Sequence, residues 1–330
     1  MKLATFLQAG VPTIGSVDTN AGSILDLRAA HRALFGSDHA AFSSMLALMD
    51  AGDQALDVAR RVVERAGSDS AHRQSLASAK LLSPLPEPRY VLDFNNFEQH
   101  MRDAPFGIAK LKARIAGLPE PERAKFNHAI PEVSLKQPTY YTANRFNVVG
   151  QDAEIEWPSF SEWLDYEAEF AVFVGKKGKN IPKNRAAEHI FGYAIFNDFS
   201  ARDRQAREME GWMGPAKGKS FDTGNAIGPW IVTRDEVPDS RALAVKVRIN
   251  GKEVGNSSTK GMIHSFEDII AFLSVEETLQ VGSVYGSGTI GGCCGLESGH
   301  WLKPNDLVEV EFEKLGVLRN RIVRRNPKAM

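Results

Sequence analysis

Apolar and polar positions alternate in short bursts at residues 2 to 7, 13 to 18 and 23 to 27, separated by Gly10, Pro12 and Asn20-Ala21-Gly22. Period-two alternation with turn-forming breaks predicts a small antiparallel sheet. The period then changes. From Ala29 to Phe35, Ala41 to Ala51 and Asp53 to Arg65, apolar residues recur at three- and four-residue spacing, as in helices with one buried face. Asp53 is placed to cap the last of these and Gly67 to end it. Ser83-Pro84-Leu85-Pro86-Glu87-Pro88 forbids regular structure, because prolines lack amide donors and hold the preceding residues extended. A boundary here divides a small N-terminal α+β domain, residues 1–85, from a larger domain, residues 86–330.

The larger part is strand-rich and punctuated by glycine and proline. Strands are predicted at 168 to 174, 229 to 234, 243 to 250, 283 to 289 and 307 to 314. Helices are predicted at Phe94 to Met101, around Arg185 to His189, at Ala201 to Met209 and at Phe266 to Leu273. Residues 102 to 137 are polar and aperiodic, which predicts a long loop near the mouth of a site. Arg319 to Arg325 alternates like an edge strand, with basic residues that discourage sheet-edge association. The fold class expected is α+β, mainly β.

Composition narrows the function classes. Forty basic residues against 41 acidic ones leave a net charge of −1, so no global field draws the chain to nucleic acid or to an anionic membrane. No apolar run approaches the ~20 residues of a membrane span, and the first residues lack the long apolar stretch of a signal peptide. The location expected is cytoplasmic. The only cysteines, Cys293 and Cys294, are adjacent, which suits neither a long-loop disulfide nor a zinc site of spaced ligands. They read as reduced core or turn residues.

The chemistry concentrates in a few segments. Glu167-Ala168-Glu169 begins a buried strand, and alternating residues of a strand share a face, so two carboxylates project together. Such a pair repels itself when taken out of water unless a proton or a cation neutralises it. Asp93 and His100 lie seven residues apart, two helical turns, and can share one face of a helix that begins near Asp93. Asp198 stands where apolar Gly192-Tyr-Ala-Ile-Phe196 gives way to a helix, and Lys219 lies in a glycine-bounded loop, Gly218 to Gly224, that lacks the spacing of a P-loop. Trp212, in Glu-Gly-Trp-Met-Gly-Pro, sits between the Gln205 helix and Lys219 and is placed to line a pocket.

In order and spacing these segments resemble the fumarylacetoacetate hydrolase superfamily over roughly residues 88 to 325. Its parts include the Glu-x-Glu strand, Asn-Asp-Phe-Ser-Ala-Arg-Asp-x-Gln at 197 to 205, Gly-Lys-Ser-Phe-Asp-Thr at 218 to 223, Gly228-Pro-Trp-Ile-Val232, Gly288-Thr-Ile-Gly291 and Leu302-Lys-Pro-Asn-Asp306. The resemblance implies the superfamily's mixed β-sandwich roll for the C-terminal domain, preceded by a small α/β domain, and a homodimer. It further implies a divalent cation, Mg²⁺ or else Mn²⁺ or Ca²⁺, bound by Glu167, Glu169 and Asp198, with Asp93 as a further ligand. Lys219 and Thr223 would complete its surroundings. Hard carboxylate oxygens suit such ions, and a spaced Cys and His set selective for zinc is absent from these segments.

By the same resemblance His100 matches the general base and Glu297 the acid that orients it, while Arg202, Gln205 and Lys219 match groups that stabilise an oxyanion. The activity implied is metal-dependent hydrolysis of a carbon–carbon bond in a 1,3-diketo acid, an acylpyruvate or a fumarylpyruvate-like product of aromatic degradation. An activated water would attack, and an enolate would leave. The substrate positions depart from fumarylacetoacetate hydrolase itself: Asn95 and Met209 replace two tyrosines, Tyr141 fits a third, and Thr289 completes the set. Lyases of the superfamily, an oxaloacetate-type decarboxylase or a dehydratase of 2-keto-3-deoxy sugar acids, need the same Lewis acid and proton shuttle and form the alternative reading. A binding protein with a dead site is disfavoured by the intact acids, His100 and Lys219.

Overall fold

The computed structural model of the chain describes residues 1–68 and 71–325. Its centre is a strand whose sequence leaves no polar face. Ala168–Val174 reads AEFAVFV, and every residue in it is buried, the pattern of a strand covered on both sides. It pairs antiparallel with Ile190–Asp198 on one side and with Ser283–Gly286 on the other. Ile190–Asp198 and the next strand, Asn225–Thr233, are likewise buried throughout. Beyond Ser283–Gly286 the strand Tyr90–Phe94 adds in parallel, and Tyr140–Thr142 closes that edge.

Two layers of β-structure enclose the core. Among the described residues the main sheet has 11 strands and a second sheet has five, in the order Lys252–Ser258, Ala244–Ile249, Leu307–Phe312, Gly316–Val323, Glu154–Glu156. Leu307–Phe312 alternates between buried and half-exposed positions, as a strand with one face on the core must. Phe170 of the central strand meets Phe312 of the second sheet and Phe266 of helix Phe266–Leu273, at ring-centroid distances of 5.7 and 5.0 Å. The N-terminal strands Lys2–Gln8, Val11–Asp18 and Ser23–Asp26 pair antiparallel as the alternation predicts. Lys2–Gln8 also pairs with Asn225–Thr233, so strands from 1–85 and from 86–330 lie in one sheet. A shared hydrophobic cluster joins Leu3, Ile14 and Leu48 to Phe173 and Ile231.

Several local expectations change. The helix Met45–Ala66 is capped by Ser44, and it is broken at Gly52, where φ is 68°, between the two predicted helices, one ending at Ala51 and the other beginning at Asp53. The helix predicted to begin near Asp93 runs instead from Glu98 to Ile115. Asp93 belongs to the strand Tyr90–Phe94, so strand and helix, not one helix face, carry Asp93 and His100. Much of the predicted loop at 102–137 is therefore helical, and Glu132–Lys136 forms a further short helix. The apolar period is faint there because the long helix buries only Met101, Gly107 and Leu111. Gly107 replaces a side chain where the helix touches another segment, since a Cβ would come within 2.5 Å of the Leu296 carbonyl oxygen. Finally, Gly316–Val323 is not an edge, because Glu154–Glu156 pairs with it in parallel. Among the described residues no helix is long and apolar enough to cross a membrane.

Candidate metal centre and active site

Strand register gathers the acids at one end of the main sheet. Ala168 stands opposite Asn197, the amide of Asp198 donates to the Glu167 carbonyl at 3.1 Å, and Asp93 stands beside Gly286. Gly286 is required by this approach: a Cβ there would meet Asp93 Oδ1 at 2.5 Å and the Phe196 ring at 2.8 Å. Asp93, Glu167 and Glu169 line a cavity of about 670 Å³, and Asp198 lies fully buried behind them. Ligand oxygens of Asp93, Glu169 and Asp198 all lie within 4.8 Å of one another.

Fixed hydrogen bonds hold these carboxylates. Glu169 accepts from the amide of Gly288 at 2.9 Å and from the Thr289 hydroxyl at 3.4 Å. Asp198 Oδ2 accepts from the Tyr141 hydroxyl at 2.8 Å and from the Lys219 ammonium, which also donates to Glu167. Asp198 Oδ1 is buried without a partner. Burial, only partly offset by Lys219, pushes Asp198 up to about 8. Burial likewise raises Asp93, and burial together with Asp93 raises Glu169 well above the usual carboxylate range. Burial opposes ionisation of Glu167 too, but Arg202 and Lys219 outweigh it and hold that carboxyl below its usual range. An orphaned buried oxygen and three crowded acids whose carboxyls are all pushed up by burial fit a site for a divalent cation, and an all-oxygen donor set fits a hard ion.

The same cavity has a second wall. His100, on the helix Glu98–Ile115, lines it, and its Nδ1 lies 3.1 Å from Glu297 Oε1. Glu297 is fixed in turn by the amide of Gly292 at 2.6 Å. A carboxylate facing Nδ1 makes that nitrogen the N–H, which leaves the lone pair on Nε2. Asn95, Tyr141, Gln205, Met209, Lys219 and Thr289 also line the cavity, as does Trp212, which is 95% exposed at its rim.

Two expected site residues lie elsewhere. Thr223 does not line the cavity; its hydroxyl accepts from the amide of Glu156 at 2.9 Å. Arg202 is 1% exposed and does not itself line the cavity; it is bound to Asp165 at 2.7 Å and, through Nη1, to two residues that do, Glu167 at 2.6 Å and Gln205 at 2.9 Å. Its Nε and Nη1 position Asp165, Glu167 and Gln205, while Nη2 is buried without a partner. Asp165 is the residue that sequence reasoning missed. It lies two residues before Glu167, and its oxygens accept from the amides of Gly295 and Leu296 at 2.7 and 3.1 Å, at the start of the turn that carries Glu297. The alternation that drew attention to Glu167 and Glu169 includes Asp165 as well.

A mixed-sheet α+β protein with a buried carboxylate cluster beside a His–Glu pair is the class that fold and site define. Residues 89–323 match the family described as Fumarylacetoacetate (FAA) hydrolase C-terminal, and the chain belongs to that family of enzymes. It is 30% identical over 328 residues to the mitochondrial oxaloacetate tautomerase fahd2 of Xenopus laevis, covering 98% of this chain and 90% of the relative. Among solved structures it is similar to a fumarylacetoacetate hydrolase from Exiguobacterium antarcticum, with TM-score 0.72, 27% identity and coverage of 98% and 100%. Its fold also matches a maleylpyruvate hydrolase from Sphingobium sp. SYK-6 in complex with manganese(II) and pyruvate, with TM-score 0.70, 21% identity and coverage of 99% and 100%.

Proposed function

We propose that this chain is a metal-dependent hydrolase that cleaves a carbon–carbon bond of a 1,3-diketo acid of the acylpyruvate type. The observation that carries this reading is the His100–Glu297 pair, at 3.1 Å, on the wall of the cavity that the acids line. A carboxylate cluster alone serves any reaction through an enolate. A histidine held by a carboxylate adds a base able to activate water.

Asp93, Glu169 and Asp198, with Glu167 beside them, would hold a divalent cation, for which Mg²⁺ and Mn²⁺ are the first candidates. Bound there, the ion supplies a Lewis acid for neighbouring keto and carboxylate oxygens. His100 Nε2 takes a proton from water, and Glu297 stabilises the imidazolium that forms. The hydroxide adds to the acyl carbonyl, and Gln205 and Lys219 lie on the lining to donate to the oxygen on which charge develops. Each such donor contributes about 3–4 kcal/mol in well-studied hydrolases. Tyr141, neutral because burial raises its hydroxyl, keeps Asp198 oriented by donating to it.

A second reading is a tautomerase of oxaloacetate, favoured by the frog relative's name and its near full-length match. It uses proton transfer without water addition. The test incubates the protein with Mn²⁺ or Mg²⁺ and acylpyruvates, fumarylpyruvate and oxaloacetate in isotopically labelled water. Hydrolysis places one labelled oxygen in the released acid, and His100→Asn lowers that rate by about 10²–10⁴-fold. Keto–enol exchange without cleavage supports the tautomerase, and CO₂ release or dehydration supports a lyase; either overturns the hydrolase.

A further inference from the structure

We propose that Cys294, His100 and Glu297 form a second metal site, selective for a thiophilic divalent cation such as Zn²⁺, whose occupation removes the base from the active site. Cys294 Sγ lies 4.0 Å from His100 Nδ1, and Nδ1 lies 3.1 Å from Glu297 Oε1. All three ligand atoms fall within 4.8 Å of one another. Zinc bonds sulfur at about 2.3 Å and imidazole nitrogen at about 2.0–2.1 Å. A bent S–metal–N arrangement with those bond lengths spans the observed gap, and the carboxylate stands beside it as a third donor.

The cluster is largely buried and rigid. Cys293 and Cys294 are free thiols. The Cys294 backbone is bridged to Glu167, and its carbonyl accepts from the Ser298 hydroxyl at 2.8 Å, so the sulfur cannot drift from His100. His100 lines the main cavity, and Cys294, fully buried, lies on the side of its ring that carries Nδ1. The two clusters then divide metals by softness. Asp93, Glu169 and Asp198 offer only oxygen, whereas this one offers sulfur, nitrogen and oxygen.

The exchange balances without any oxidant. The cation bonds to Cys294 Sγ, His100 Nδ1 and Glu297 Oε1. The thiol gives up its proton to solvent, and the proton on Nδ1 is replaced by one taken up at Nε2. One proton is released for each ion bound. The ring stays neutral but becomes the other tautomer, with N–H where the lone pair of Nε2 had been. A base that takes a proton from water is thereby converted into a donor. This loss of activity rests on the hydrolase reading; binding of the ion does not.

The test titrates protein already saturated with Mg²⁺ with Zn²⁺, and separately with Co²⁺ as a spectroscopic stand-in. Co²⁺ should produce a thiolate-to-cobalt charge-transfer band in the near ultraviolet, and Zn²⁺ should abolish turnover. In Cys294→Ser the band should vanish, turnover without zinc should persist, and inhibition should need at least about tenfold more Zn²⁺, since losing a ligand costs no less than losing a supporting contact. Cys294→Ala provides a second variant should serine not fold. Absence of the band in the unmodified protein, or undiminished zinc inhibition of a folded Cys294 variant, would overturn the site. A cobalt–thiolate band with no cleavage of any keto acid would leave this site standing and remove the hydrolase reading instead.

Discussion

Asp165→Asn probes the link between the two walls of the cavity. Asp165 is fully buried and receives four N–H groups: the amides of Tyr166 at 2.8 Å, Gly295 at 2.7 Å and Leu296 at 3.1 Å, and Arg202 Nε at 2.7 Å. Asparagine has one oxygen. It can keep the two donors now at Oδ1, but its amide then faces the Leu296 N–H and Arg202, leaving two buried donors unmet at about 1–3 kcal/mol each. Burial pushes the Asp165 carboxyl up, and Arg202 opposes that shift. Arg202 retains Glu167 at 2.6 Å, which sets the expected destabilisation near the lower end of the range for a broken buried pair, about 3 kcal/mol. Urea unfolding should show a lower midpoint with an unchanged slope. Because Leu296 directly precedes Glu297, turnover should also fall, by about 10²-fold for a displacement near 1 Å. A loss below about 1 kcal/mol with normal turnover would refute the assignment of Asp165 as the anchor of that turn.

Stability should depend on pH in a manner that the cation reverses. Burial raises Asp93, Glu169 and Asp198, the last to about 8, whereas unfolded carboxyls release their protons near pH 4. Across that interval the folded state holds more protons, so without metal its stability falls as pH rises from about 4 through about 8. Melting curves in EDTA at the two ends, repeated with Mn²⁺, should show the decline and its rescue; a flat metal-free profile would contradict it. Gly286→Ala should destabilise by about 1–3 kcal/mol and weaken Mn²⁺ binding, because the new methyl must displace the Asp93 carboxylate or the Phe196 ring. Calorimetric titration with Mn²⁺ checks this, and unchanged affinity would refute displacement of the Asp93 carboxylate by the methyl.

Runs of apolar residues carried through to the structure as the central strands. AEFAVFV at 168–174 and the apolar run ending at Asp198 became neighbouring buried strands, and the acids at their ends came together as their spacing implied. The pattern weakened where burial was narrow. The helix Glu98–Ile115 touches the body through few residues, one of them Gly107, so its polar surface resembled a loop. Seven residues measure two turns, which fits Asp93 and His100 on one helix, but a strand and a helix meeting at one cavity satisfy the same spacing. Arg202 is legible as a cation near the site, whereas its buried partner Asp165 is marked only by the alternation that it shares with Glu167 and Glu169.

Charge explains why these placements matter. Asp165 pairs with Arg202, and Glu167 is held below its usual range by Arg202 and Lys219. That leaves Asp93, Glu169 and Asp198, the trio whose oxygens converge, sharing only what remains of the Lys219 charge. The carboxylates stand on the ends of buried strands, where a change would disturb the core. The His100–Glu297 pair stands on a helix and a short turn that pack together through Gly107 and connect to the sheet through Asp165. A family built in this way can retain its cation cluster while the peripheral wall alters the proton chemistry. Paired acids therefore point to the fold and to a divalent cation, and the reaction has to be read from the residues that face them.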